Sequence, residues 1–197
     1  MKYFKLNYIL IVLILSILPN LATSAEQDDA LSFIQDLGNK AIEMLSDKKL
    51  SDSQKISEFE KLLDLGFEVP LIARYALGKY WRKTPKDKRI QYVDAFRIFI
   101  VDSYASRLGQ FGGEKFYTSN VRADGKRGFI VSSLIETPSG QKVKVDWRLK
   151  KINNAFRIYD VIIEGISMVI TQRDEFSSII QRSGGDIDSL ITKLKNY

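Results

Sequence analysis

The chain reads as an α+β fold: N-terminal helices, then a four-stranded antiparallel meander, then one or two C-terminal helices folded back across the sheet. Three observations predict this. Apolar residues recur at helical spacing through the first half, with capping residues at the breaks. The second half switches to alternation of apolar and polar residues. The alternating segments are separated by turn signals of hairpin length, and connections that short demand antiparallel pairing.

The helices come first. From Ala30 to Leu45, the residues Leu31, Ile34, Leu37, Ile42 and Leu45 share one face at roughly helical spacing. Ser51-Asp52-Ser53-Gln54 is a capping-box pattern that starts the next helix, and Gly66 ends it. Pro70 then sits where a first helical residue tolerates proline, and Gly78 is the natural stop. Thr84-Pro85-Lys86-Asp87 predicts another start, with Thr84 as cap and Pro85 in the first position. That helix runs to about Leu108, closes on Gly109 and, at 1.5 Å per residue, is roughly 35 Å long.

The strands follow. In Gln141 to Lys150, the residues Val143, Val145, Trp147 and Leu149 alternate with Lys142, Lys144, Asp146, Arg148 and Lys150, giving one dry and one wet face. Arg127 to Glu136 and Ala155 to Glu164 also read as strands, bounded by Thr137-Pro138-Ser139-Gly140 and Asn153-Asn154. Lys115 to Val121 is a weaker strand, joined to the next by Asp124-Gly125. After the last strand, Glu164-Gly165-Ile166-Ser167 forms a structural joint into an amphipathic helix. Ser167 caps that helix near Met168, Gly184-Gly185 breaks the last helical stretch, and Asp186 can cap a short terminal helix.

Composition narrows the chemistry. The chain has 197 residues with neither Cys nor His, so disulfides, thiol nucleophiles, His bases and typical zinc sites are excluded together. No metal or cofactor is implied. The N-terminus carries Lys2 and Lys5 before an apolar run from Ile9 to Leu18, then Pro19-Asn20 and the small residues up to Ala25. That is the layout of a signal peptide over residues 1–25, with cleavage after Ala25 or, as second choice, after Ser24. The apolar run falls well short of the roughly 20 residues that span a bilayer. Residues 26–197 then form a single exported domain. The formal net charge is +6 for the whole chain and +4 once Lys2 and Lys5 are removed with the leader, a modest excess that suits anionic lipid surfaces or acidic partners. The export signal and the scattered basic residues argue against nucleic acid.

Two readings compete for the apolar face of the sheet. Val145, Trp147 and Leu149 share it, Phe129 and Val131 can join them, and the helices offer Tyr75, Leu77, Tyr80, Trp81, Phe96, Phe99, Ile100 and Tyr104. Pattern alone favours plain core, because periodicity does not distinguish a filled interior from a hollow one. Asp160 and Glu164 lie four residues apart on an extended strand, roughly 13 Å, too far for paired-carboxylate chemistry. Glu164 is read as bonding helix N–H groups near Ser167 or pairing with an Arg. Ser167 has no His to activate it, so no enzyme activity is supported. Gln172, Arg173 and Arg182 lie on the polar side of the helix, facing solvent or a partner, with a phosphate contact open to one of them.

Three segments carry a resemblance: FRIYDVIIEGISMVITQRDEFSSIIQR from Phe156 to Arg182, FEVPLIARYALGKYWR from Phe67 to Arg82, and VDWRL from Val145 to Leu149. In order and spacing they resemble the MlaC family of toluene-tolerance auxiliary proteins, periplasmic phospholipid carriers of Gram-negative bacteria. The resemblance implies a deep cavity between sheet and helices that takes the acyl tails of a diacyl phospholipid. Its implied lining is Tyr75, Tyr80, Trp81, Phe96, Phe99, Ile100, Tyr104, Phe129, Val131, Val145, Trp147, Leu149, Tyr159, Val161 and Met168. Hinges at Gly66, Gly78 and Gly165 would serve its opening. It also implies shuttling between an outer-membrane lipoprotein–porin complex and an inner-membrane ABC transporter with an MCE-domain protein, which maintains outer-membrane lipid asymmetry. The same superfamily includes HpnM-type proteins of hopanoid transport, so a sterol-like cargo stays open. So does a periplasmic adaptor with a filled core; a secreted hydrolase is weakest.

Overall fold

In the computed structural model, residues 18–108 and 112–196 are described. Lys2, Lys5, most of the apolar run from Ile9 and the closing Gly109 lie outside the described residues. The first described element is helix α1 (Leu18–Ser46), which runs unbroken through Ala25. Its deepest seam is Ala30, Ile34, Leu37 and Met44. Leu31, Ile42 and Leu45, expected on the same stripe, are only half-buried.

Helix α2 (Asp52–Gly66) starts as its capping box dictates: Ser51 Oγ accepts from Gln54 N, and Gln54 Oε1 accepts from Ser51 N at 2.9 Å. Gly66 ends the helix for a different reason from the one expected. The next residue is extended, and a Cβ at Gly66 would come within 2.5 Å of Leu37 Cδ2, so the glycine allows α1 and α2 to approach. Helix α3 (Val69–Leu77) carries Pro70 in its first turn and stops at Gly78, which takes a φ of 56°. A short 3₁₀ turn (Gly78–Tyr80) leads toward helix α4 (Lys86–Leu108). Thr84 does not cap α4 as expected. Its hydroxyl donates back to Tyr80 O at 2.9 Å, while Pro85 O accepts the first intrahelical bond from Arg89 N.

The sheet is an antiparallel meander in the order β1-β2-β3-β4-β5. Its strands are β1 (Lys115–Ala123), β2 (Phe129–Glu136), β3 (Lys142–Ile152), β4 (Ala155–Ile163) and β5 (Ile166–Ser167). Four strands were expected, and the fifth lies in the joint. Glu164 and Gly165 take φ values of 49° and 83°, the left-handed pair that closes a two-residue hairpin. This returns the chain as β5 beside β4 before helix α5 (Met168–Arg182) begins. Asn153 and Asn154 close the β3–β4 hairpin in the same way, at 50° and 62°. Helix α6 (Ile187–Lys195) follows, capped by Asp186, whose carboxylate accepts from Asp188 N and Ser189 N.

Two cores result. One lies among the helices and centres on Leu77, Tyr92, Phe176, Ile180 and Leu190, all at most 1% exposed. Tyr92 buries its ring there and donates to Ala73 O at 3.0 Å. The other lies where α1 covers one end of the sheet, joining Ala30, Ile34 and Leu37 to Phe129, Val131, Leu149 and Ile158.

Candidate functional site

Between these cores the sheet and helices do not close, leaving a cavity of about 490 Å³. Its floor follows from the register. Trp147 and Val161 stand side by side on β3 and β4, with Val131 beside them on β2 outside the cavity, and Val145 and Ile163 form the adjacent rung with Ser133 beside them. Ser133 is the one polar side chain in those rungs, and it is fully used. It accepts from Trp147 Nε1 at 2.8 Å and donates to Val145 O at 3.1 Å. Trp147 therefore has its only polar atom tied down and offers hydrocarbon to the cavity.

Helices make the walls. Phe59 and Leu63 come from α2, Ile72 and Ala76 from α3, Phe96, Phe99, Ile100 and Tyr104 from α4, and Met168 and Val169 from the start of α5. Polar groups are few. Gln172 and Glu175 bond each other at 3.0 Å, and the buried Ser103 hydroxyl has no partner among the described residues. Tyr104 is 44% exposed, so one side of the cavity reaches solvent beside it. The space is apolar inside and polar at one margin, a shape suited to a molecule with a hydrocarbon body and a wet end.

Eight residues expected to line a cavity do so: Phe96, Phe99, Ile100, Tyr104, Val145, Trp147, Val161 and Met168. The other seven are corrected by the geometry. Val131 and Leu149 share the cavity's sheet face but are sealed beneath α1, each 0% exposed. Phe129 belongs to that same core and reaches, at its edge, a different groove that also takes in Tyr75, Trp81 and Tyr159. Tyr80 packs partly against the helical core. Phe59, Leu63, Phe67, Ile72, Ala76, Ile135, Ile163 and Val169 were missed. Helical spacing of Phe59 and Leu63, and strand alignment of Ile135 with Val143 and of Ile163 with Val145, are the signals that point to four of them.

The joint is held by Asp160. Its Oδ2 accepts from Ser167 Oγ at 2.7 Å and from Arg148 Nη1 at 3.1 Å, and its Oδ1 accepts from Val169 N at 3.2 Å. Ser167 Oγ accepts in turn from Ile170 N at 3.2 Å, so it is the helix cap expected. Among the described residues, Glu164 neither caps α5 nor pairs with an Arg. Its carboxylate accepts from Lys144 N, pinning the hairpin to β3. Asp160 and Glu164 thus serve separate structural tasks.

On the other side of Asp160 and Val169 lies the second groove, open and about 1250 Å³. Arg74 and Arg173 line it from α3 and α5, Arg82 from the turn before α4, Lys126 and Arg127 from the β1–β2 connection, and Arg148, Lys150 and Lys151 from β3. Arg127 pairs with Asp124 at 2.6 Å, and Lys151 pairs with Glu26 at 2.7 Å. The Tyr159 hydroxyl lies buried here without a hydrogen-bond partner among the described residues. Burial raises its pKa, and the Asp124 carboxylate adds to the rise. Among the described residues, no cluster of acidic side chains is placed to hold a metal ion, and no helix is long and apolar enough to cross a membrane.

Comparison with known proteins adds to this geometry. A family model described as MlaC protein matches residues 35–196. The chain is 24% identical over 113 residues to the toluene tolerance protein ttg2D of Pseudomonas putida, covering 57% of this chain and 53% of that protein. It is 24% identical over 123 residues to the intermembrane phospholipid transport system binding protein MlaC of Haemophilus influenzae, covering 60% and 56%. In these matches the chain spans little more than half the length of the curated relatives. A phospholipid-binding protein from Ralstonia solanacearum, solved in complex with a phospholipid, aligns with a TM-score of 0.73 and 21% identity over 85% of this chain and 95% of that one. At that identity the likeness is one of fold.

Proposed function

The chain belongs to the MlaC family, and we propose that it is a periplasmic carrier that binds a diacyl phospholipid and moves it between the outer and inner membranes. The observation that carries this reading is the apolar cavity floored by Val145, Trp147 and Val161. The acyl tails lie against that floor, and the headgroup emerges beside Tyr104. Energetics favour enclosure. Burial is worth about 0.8 kcal/mol per CH₂, so two long chains represent some 20 kcal/mol of gross transfer energy. A shallow groove cannot supply that. Because membrane and cavity bury the tails similarly, the exchange is nearly balanced and a partner must open the cavity at each end.

Those partners are an outer-membrane lipoprotein–porin complex and an inner-membrane ABC transporter with an MCE-domain protein. The exchange serves outer-membrane lipid asymmetry. Export follows from the leader over residues 1–25, with residues 26–197 as the carrier domain. No cofactor and no catalytic residue enters this reading; the phospholipid is the ligand. The test is gentle purification from the native periplasm, then native mass spectrometry and solvent extraction. Diacyl phospholipid at up to one molecule per chain is the expected result. Apoprotein alone would favour an adaptor with a docking role, and an extracted hopanoid would change the cargo.

A further inference from the structure

The basic groove concentrates positive charge. Its lining has eight Lys and Arg against two carboxylates, Glu26 and Asp160. The chain as a whole has 30 Lys and Arg against 24 Asp and Glu, and without Lys2 and Lys5 of the leader the net falls from +6 to +4. The excess of six in the lining is larger than that net, so the remainder of the exported domain is slightly acidic. Five of the eight cations, Arg74, Arg82, Lys126, Lys150 and Arg173, make no ion pair among the described residues. Concave walls of low dielectric focus such a field and raise the local concentration of anions.

Shape indicates what kind of anion. At about 1250 Å³ the groove exceeds the usual range of roughly 300–1,000 Å³ for small-molecule sites. It is walled on one side by the rings of Tyr75 and Trp81, apolar surfaces of the kind that anchor protein interfaces. Toward its floor, Arg148 Nε already faces the Asp124 carboxylate at 3.9 Å. The cations left for a ligand therefore stand on the walls, Arg74, Arg82 and Arg173 on one side and Lys126 and Lys150 on the other. A planar bilayer meets only the rim of such a concave groove, whereas an extended chain lying along it brings carboxylates to both walls.

We propose that this groove docks an acidic polypeptide segment of a partner protein, an extended run rich in Asp and Glu. The inference goes beyond the carrier reading and needs no bound lipid. Lipid content is measured separately on every variant, so the two readings fail separately.

The test uses the mature protein and a fluorescein-labelled deca-glutamate peptide, followed by fluorescence anisotropy at low salt. Arg74→Glu combined with Arg173→Glu is compared with Lys40→Glu combined with Lys48→Glu, the same change of charge on exposed residues toward the far end of α1. The groove pair is expected to weaken binding at least about tenfold, and the control pair no more than about twofold. Lys126→Glu with Lys150→Glu provides a second groove pair should the first lower stability. Equal weakening by groove and control pairs would mean diffuse attraction and would overturn the proposal. So would a wild type that ignores the peptide yet sediments with phosphatidylglycerol vesicles, which would make the groove a membrane contact.

Discussion

Val131 and Val145 stand on the same face of the same β2–β3 ladder, yet they meet different neighbours. Val131 lies in the core with Ala30, Ile34 and Leu37 of α1, at 0% exposure. Val145 lies on the cavity wall. Under the carrier reading, Val145→Trp is therefore expected to fill space assigned to the acyl tails, lowering bound lipid while the unfolding temperature of the delipidated variant stays near that of delipidated wild type. Val131→Trp is expected to overpack a sealed core at a cost of about 1–3 kcal/mol, lowering the unfolding temperature and leaving lipid per folded molecule unchanged. Thermal melts and mass spectra of extracted lipid read both, and the opposite pattern would put the cavity under α1. Alternation in the sequence places both valines on the dry face. It carries no information on how far along that face a helix from the other end of the chain extends.

The joint between β4 and α5 is the element on which the cavity depends, because Met168 and Val169 line the space directly after it. Ser167→Ala removes a cap and a hydrogen bond to Asp160, and is expected to cost about 1 kcal/mol with bound lipid nearly unchanged. Gly165 has a φ of 83°, and no heavy atom lies within 4 Å of where a Cβ would stand. Gly165→Ala thus meets backbone strain alone, about 1–2 kcal/mol. Gly165→Val costs more, because a β-branched residue at positive φ is a greater outlier. Bound lipid is expected to fall in that variant as the hairpin shifts and α5 moves with it. Denaturant midpoints with lipid quantification check this series, and normal lipid retention by Gly165→Val would uncouple the hairpin from the cavity. The Ser167 cap was legible as a hydroxyl before an amphipathic run. The hairpin was not, since β5 has two residues, too few for any alternation, and Glu164 is an uncommon choice for a left-handed position.

At the scale of the molecule, a hollow interior makes stability a function of the ligand. A ligand that binds only the folded state adds about 2.7 kcal/mol at a hundredfold excess over its Kd. Delipidated protein is therefore expected to melt at a lower temperature, and added phospholipid to restore the original value. Calorimetry before and after lipid extraction measures both, and an unchanged melting temperature would fit a filled-core adaptor. The basic groove sits back to back with the cavity, and Asp160 and Val169 belong to the walls of both.

Local chemistry was enough to specify much of this protein. The Ser51 capping box, the paired Asn153-Asn154 turn and the alternation around Trp147 depend on residues a few positions apart, and such short-range preferences are written in the chain itself. Short connections between alternating segments likewise leave the meander as the only order the strands can take. The hollow, its boundary at Val131 and Leu149, and the gathering of Arg74, Lys126, Lys150 and Arg173 into one groove are of another kind. Each depends on how closely elements distant in sequence pack against one another. Packing distance is set by the volumes of side chains on both partners at once, and only the tertiary structure brings both partners together.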